Sequence, residues 1–151
     1  MIDRKPFNPV LNEADRIARN VMLGYFRMRG MAVEEHPNNK DIDLVHEETG
    51  TGFELEMINK WTGGDYPYEL VNILERKWHL FNGSHPLNNY FIILCKDCNQ
   101  FIAISQAKIQ KYLNEQNCQP MPCNVPTEGR RIDNVCRIPL SEFKIVEIQN
   151  N

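Results

Sequence analysis

Residues 41 to 58 read DIDLVHEETGTGFELEMI, and this stretch restricts the possible folds more than any other part of the chain. On both sides of TGTG, acids and apolar residues take turns with a period of two, the pattern of half-buried strands rather than helices. Gly50-Thr51 suits a two-residue type II′ turn, which has glycine at its first central position. The predicted hairpin sets Leu44 opposite Met57 and His46 opposite Leu55. Ile42, Phe53, Leu55 and Met57 then share an apolar face. Asp41, Asp43, Glu47, Glu54 and Glu56 share the other, with Glu47 opposite Glu54 and Asp43 diagonal to Glu56. Sliding the register by two residues changes the partners and keeps the faces.

Like charges across a ladder repel. A solvated face tolerates this through screening. The alternative is a divalent-cation site, because hard Mg2+ or Mn2+ prefers carboxylate oxygens and lets several of them coexist.

The flanking segments complete an α/β pattern. NEADRIARNVMLGYFRMRG predicts a helix over 12–30, with Asn12 as N-cap, Asp15 in a capping box and Gly30 as the stop. Its apolar stripe is Ile17, Ala18, Val21, Tyr25 and Met28. MAVEEH predicts a short strand, and a second helix is expected over 68–81, ending at Asn82-Gly83. NNYFIIL is a buried strand that turns through KDCNQ into FIAIS, and Ser105 caps a short amphipathic helix. Residues 117–134, rich in Pro, Asn and Cys, are expected to be a loop before the strands VCRIPL and FKIVEI. The expected fold is one α/β domain over 1–151, with a core at about 12–148 and a mixed sheet flanked by helices.

The charge distribution fits a polyanion-binding surface around an acidic centre. The chain of 151 residues carries a net charge of −3, yet outside residues 41–59 there are 14 acids against 17 bases. MIDRKPFNPVLNEADR has no apolar h-region, and no apolar run approaches the ~20 residues of a membrane span. These features predict an intracellular, cytoplasmic protein without membrane contact; a phage or mobile element remains open as its source.

At the acidic hairpin the chain resembles the PD-(D/E)XK nuclease superfamily, the restriction-endonuclease-like fold. Asp43 within Ile42-Asp43-Leu44 stands for the first motif acid, ten residues intervene, and Glu54-Leu55-Glu56 occupies the (D/E)XK position. The likeness spans roughly residues 12–105, and Glu13 matches a glutamate that many members carry on the preceding helix. Two departures are plain. No proline precedes Asp43, and Glu56 stands where the motif has lysine. Some members are similar in carrying ExE, and in others the lysine migrates to the following helix.

The resemblance implies hydrolysis of phosphodiester bonds in DNA with Mg2+ or Mn2+. Asp43 and Glu54 would be the principal metal ligands, Glu56 a ligand or water-activating base, and Glu13 a further contributor. A homodimer is implied by analogy with members that cut both strands. The rival implication is a catalytically inactive module of the same fold that binds nucleic acid or a protein.

Projected on the expected helix 68–81, Lys77 falls within the stripe of Leu70, Ile73, Leu74, Trp78 and Phe81. It therefore either snorkels to solvent or reaches the acidic face as the missing cation. Lys60 is the alternative for that role. Substrate contacts are expected from Lys60, Trp61, Arg76, Arg130 and Arg131, with Arg16 and Arg19 on the first helix. Five cysteines argue against a disulfide framework. Cys95-x-x-Cys98 and the looser pair Cys118 and Cys123 allow a structural Zn2+ or simple burial. His46 is expected at the core edge.

Overall fold

Phe91 to Cys95 are apolar without a break because both faces of their strand are covered. The computed structural model describes residues 9–38, 41–115, 118–125 and 129–148, and their side chains except those of 9–12 and 122–131. The apolar run lies in β5 (Asn88–Cys95), which pairs in parallel with β3 (Thr51–Ile58) and antiparallel with β6 (Gln100–Ile104). With β1 (Glu34–Glu35), β2 (Leu44–His46) and β9 (Lys144–Glu147) they form a mixed sheet ordered β1-β2-β3-β5-β6-β9. A second, antiparallel sheet is ordered β4-β8-β7, from β4 (Leu70–Leu74), β7 (Cys118–Val125) and β8 (Gly129–Pro139). The α/β fold with a mixed sheet and flanking helices is as expected.

Alternation along β5 feeds two cores. Ile92 and Leu94 pack with Leu44, Phe53 and Leu55 under α1 (Pro9–Met28). Phe91, Ile93 and Cys95 pack with Val71 and Ile73 of β4, Ile138 of β8 and Ile109 of α2 (Gln106–Asn114). No helix among the described residues is long and apolar enough to cross a membrane.

Helix α1 starts earlier than its capping pattern suggests. Pro9 already lies in the helix, a position that tolerates a missing N–H, so Asn12 is interior rather than the cap. Its buried stripe is Ala18, Met22, Leu23 and Phe26, whereas Ile17 and Met28 are 41% and 69% exposed. The four-residue spacing 18, 22, 26 decided the face. Gly30 does end the helix: at φ 75° it donates to the Arg27 carbonyl while Met31 donates to that of Phe26, a Schellman arrangement. Ser105 caps α2 by accepting from the Lys108 N–H.

Three further expectations change. In the hairpin, Leu44 pairs with Phe53 and His46 with Thr51, because a 3-10 turn at Glu47–Thr49 and left-handed Gly50 replace the two-residue turn. Leu44, Phe53 and Leu55 still share a face, but Ile42 packs in the other core. The backbone bends at Asp43 and breaks the alternation there. The expected helix 68–81 is strand β4 followed by a 3-10 helix, Glu75–Leu80. Only Val71 and Ile73 of β4 are fully buried, a strand period that helical projection cannot separate from a stripe. Lastly, 118–125 is a strand rather than loop, and the strand expected at VCRIPL begins earlier, so that β8 takes in 129–134 as well. Pro120 and Pro122 are accommodated because β7 lies at the edge of its sheet, paired among the described residues with β8 alone.

Candidate functional site

Glu54 and Glu56 lie on one face of β3, opposite Phe91 and Ile93 in register. That face meets the second core, so Glu54 is buried with only 6% exposed, while Glu56 lies nearer the rim. A buried carboxylate requires a cation or strong hydrogen bonds. Lys77 supplies the cation, with Nζ 3.4 Å from Glu54 Oε2 and 3.7 Å from Glu56 Oε2.

The 3-10 helix directs Lys77 inward. Side chains three residues apart eclipse in such a helix, so Lys77 and Leu80 are its two buried members. The Lys77 ammonium also lies 5.2 Å from the centre of the Phe91 ring. Burial disfavours its charge, but Glu56, Glu54 and Asp43 outweigh burial and the opposing Arg76, holding its pKa above the ordinary value. Tyr66 senses one of these carboxylates: burial first, then the Glu56 charge, push its phenol up to about 12.

Asp43 joins the group from the bend before β2. Its Oδ2 accepts the Leu55 N–H at 2.8 Å, and its Oδ1 lies 3.2 Å from the Arg19 guanidinium. A cavity of about 130 Å³ lined by Arg19, Glu35, His36, Ile42 and Asp43 opens beside that contact. Asp41 serves elsewhere. Its Oδ1 meets His85 Nε2 at 2.6 Å, and His36 Nε2 lies 3.9 Å from Oδ2. The Leu87 N–H donates to His85 Nδ1, so Nε2 carries the proton and donates to Asp41. Burial raises the Asp41 pKa, but the hydrogen bonds from His85 and the Ile42 N–H, with the nearby His85 and His36 rings, bring it below the usual value.

The structure thus brings Glu54, Glu56 and Lys77 together, with Asp43 nearby. Glu47 departs into the exposed 3-10 turn. Glu13 is exposed on α1 and pairs with Arg16 at 3.8 Å, so it is Arg19 that the helix contributes. Trp61 is 1% exposed and donates its indole N–H to the Gly64 carbonyl, which removes it from any substrate surface. Lys60 and Arg76 are exposed, and it is Lys77 rather than Lys60 that meets Glu54 and Glu56. The side chains of Arg130 and Arg131 lie outside the described residues. Neither Tyr66 nor the His85 pairing was picked out from the sequence; they come from loops whose patterns are uninformative about distant partners.

The cysteines pair differently from the zinc scheme. Cys118 lies directly opposite Cys136 across β7 and β8, and burial with the adjacent Cys118 thiol pushes Cys136 up to about 12. Cys95 is buried and donates to Asn99 Oδ1, and Cys98 occupies a left-handed turn position at φ 58°. The Cys123 side chain lies outside the described residues. His46 is buried, as expected for a core-edge histidine, with Nδ1 2.7 Å from Thr49 Oγ1.

Among the described residues no group of three or more His, Cys, Asp and Glu stands arranged to hold a metal ion. The donor chemistry of Asp43, Glu54 and Glu56 suits a hard divalent cation. In the observed arrangement, however, Arg19 and Lys77 already provide their counter-charge. The sequence matches no known protein family, and no curated protein is significantly similar to it.

Proposed function

We propose that the protein is a divalent-metal-dependent phosphodiester hydrolase of the restriction-endonuclease-like class, acting on DNA in the cytoplasm. The observation that carries this reading is the buried Lys77 ammonium within 4 Å of Glu54 and Glu56, on the two positions that the (D/E)XK resemblance singles out. A cation delivered from outside the motif answers the departure at Glu56. Asp43, Glu54 and Glu56 would hold Mg2+ or Mn2+, which when bound polarises a phosphoryl oxygen and lowers the pKa of water. Lys77 steadies negative charge developing on the phosphate. Glu56, at the rim, is placed to accept a proton from water. Exposed Lys60 and Arg76 offer positive charge to the DNA backbone. Cutting both strands of a duplex would engage two copies of the chain.

The second reading is a non-catalytic module of the same fold that binds nucleic acid or a protein. It is favoured by one observation: Asp43 is engaged by Arg19 and the Leu55 N–H, and the glutamates by Lys77. A cleavage assay on supercoiled, linear, single-stranded and branched DNA with Mg2+ or Mn2+ tests the choice. The hydrolase reading expects nicking or cutting that falls at least about a hundredfold in Glu54→Gln and Lys77→Ala. DNA binding without cutting by the folded wild type would select the module. Equal cutting by wild type and Glu54→Gln would defeat the assignment of the site.

A further inference from the structure

Cys118 and Cys136 stand directly opposite each other across β7 and β8, in an antiparallel ladder. Opposed residues of such a ladder have Cα atoms about 4.5–5.5 Å apart and side chains on one face. A disulfide spans Cα separations of about 4.4–6.8 Å, so the backbone already meets its requirement. The side chains agree. Cys136 is fully buried in the second core, Cys118 packs against that core from β7, and the two thiols are within hydrogen-bonding reach of each other. Both are free thiols. Cys95 and Cys98, close in sequence, have other partners: the Cys95 thiol donates to Asn99 Oδ1 and the Cys98 thiol to the Lys96 carbonyl.

We propose that Cys118 and Cys136 are a redox modification site, closed into a cross-strand disulfide by a small disulfide oxidant of the glutathione class and reopened by thiols. This pairing does not depend on the hydrolase reading. Cys118 is half-buried and is the thiol that an oxidant reaches, whereas burial and the neighbouring Cys118 thiol keep Cys136 protonated. The Cys118 thiolate attacks one sulfur of the oxidant, forming a mixed disulfide and expelling one thiolate. Cys136 then loses its proton and attacks the Cys118 sulfur, expelling the second. Two protein thiols give up two electrons and two protons, and the oxidant leaves as two thiols. The bridge ties β7 to β8 at the start of β7. Cys136 also pairs with Ile73 of β4 on the other side of β8, and β4 runs into the 3-10 helix that carries Lys77. Oxidation therefore fastens the edge of the sheet that covers Glu54. It also closes residues 118–136 into a ring, which restricts the unfolded chain.

Oxidised glutathione added to the folded full chain tests the site, with peptide mapping by mass spectrometry and thermal unfolding as readouts. The expected result is a Cys118–Cys136 cross-link in the peptide map. The unfolding midpoint should rise by roughly 5–10 °C with the bridge and return when dithiothreitol is added. Cys118→Ser and Cys136→Ala should each lose both effects. Cys118→Ser, at the half-buried position, keeps the test decisive if Cys136→Ala fails to fold. Four outcomes would overturn the proposal: both residues remaining thiols, a stable mixed disulfide on Cys118 without the cross-link, bridges through Cys95, Cys98 or Cys123 in its place, or a midpoint that rises as much in Cys118→Ser as in wild type.

Discussion

Lys77 keeps its charge inside the protein because two glutamates reach it from one strand face, and that dependence makes it the most exacting residue of the molecule. Lys77→Met leaves Glu54 buried without this partner and should cost about 3 kcal/mol in denaturant unfolding, the scale for breaking one side of a buried pair. The double variant Lys77→Met/Glu54→Gln should recover part of that loss, because the stranded charge is gone; full additivity of the two losses would contradict the pairing. The pair also sets an alkaline limit. The folded pKa of Lys77 lies above its ordinary 10.5, so its contribution is complete below that pH and is lost as pH rises through the folded value. Tyr66 acts in the same direction, since its phenol stays neutral up to about 12 in the fold and ionises near 10 in the unfolded chain. Unfolding midpoints should therefore fall above pH 10, and Tyr66→Phe should flatten the decline. Lys77 was legible in the sequence as a cation out of place in an apolar stripe. The acidic strand face was one of its two expected destinations, and only the fold chose between that face and solvent; Arg19–Asp43 was not legible, because pairs 20 or more residues apart leave no local pattern.

Strand β3 shows how an element can be specified partly by its neighbour. Gly52 lies inside the strand, where glycine is ordinarily unfavourable, and pairs with Asn89 of β5. A Cβ at this position would run into Asn89 Oδ1, and Asn89 has little freedom to yield. Its Nδ2 donates to the Leu80 carbonyl at 2.7 Å and its N–H to Gln106 Oε1 at 2.8 Å. Gly52→Ala should destabilise by about 1–3 kcal/mol in denaturant titration, and a neutral effect would show that the β3–β5 approach is looser than described. The sequence announces β5, β6 and α2 clearly because each carries its own signal: an unbroken apolar run, a tight turn, a serine cap. It misdirects at 68–81, where a five-residue strand and a 3-10 helix place Val71, Ile73, Lys77 and Leu80 inward at positions that mimic a helical stripe. It misdirects again at 118–125, where prolines signal loop until the strand is seen to lie at a sheet edge.

At the scale of the whole molecule, β5 joins the two cores: Ile92 and Leu94 face α1, while Phe91 and Ile93 face the second sheet. Trp61, buried in the second core, should therefore report damage done in the first. Ile92→Ala is expected to cost about 2–4 kcal/mol and to move the Trp61 fluorescence midpoint together with the circular-dichroism midpoint. Separate midpoints would mean that the cores unfold independently. By itself the sequence determined the α/β class, the hairpin, the separation of Leu44, Phe53 and Leu55 from Glu54 and Glu56, and most of the central strands. Those features follow from periodicity, turn chemistry and charge, which act between residues near one another in the chain. Only the tertiary structure decided that the acidic face of β3 is covered by a second sheet, that Lys77 enters it from a 3-10 helix, and that Arg19 rather than Glu13 meets Asp43. Those features depend on crossovers and pairings between distant segments, where burial converts a surface charge into one that must find a partner.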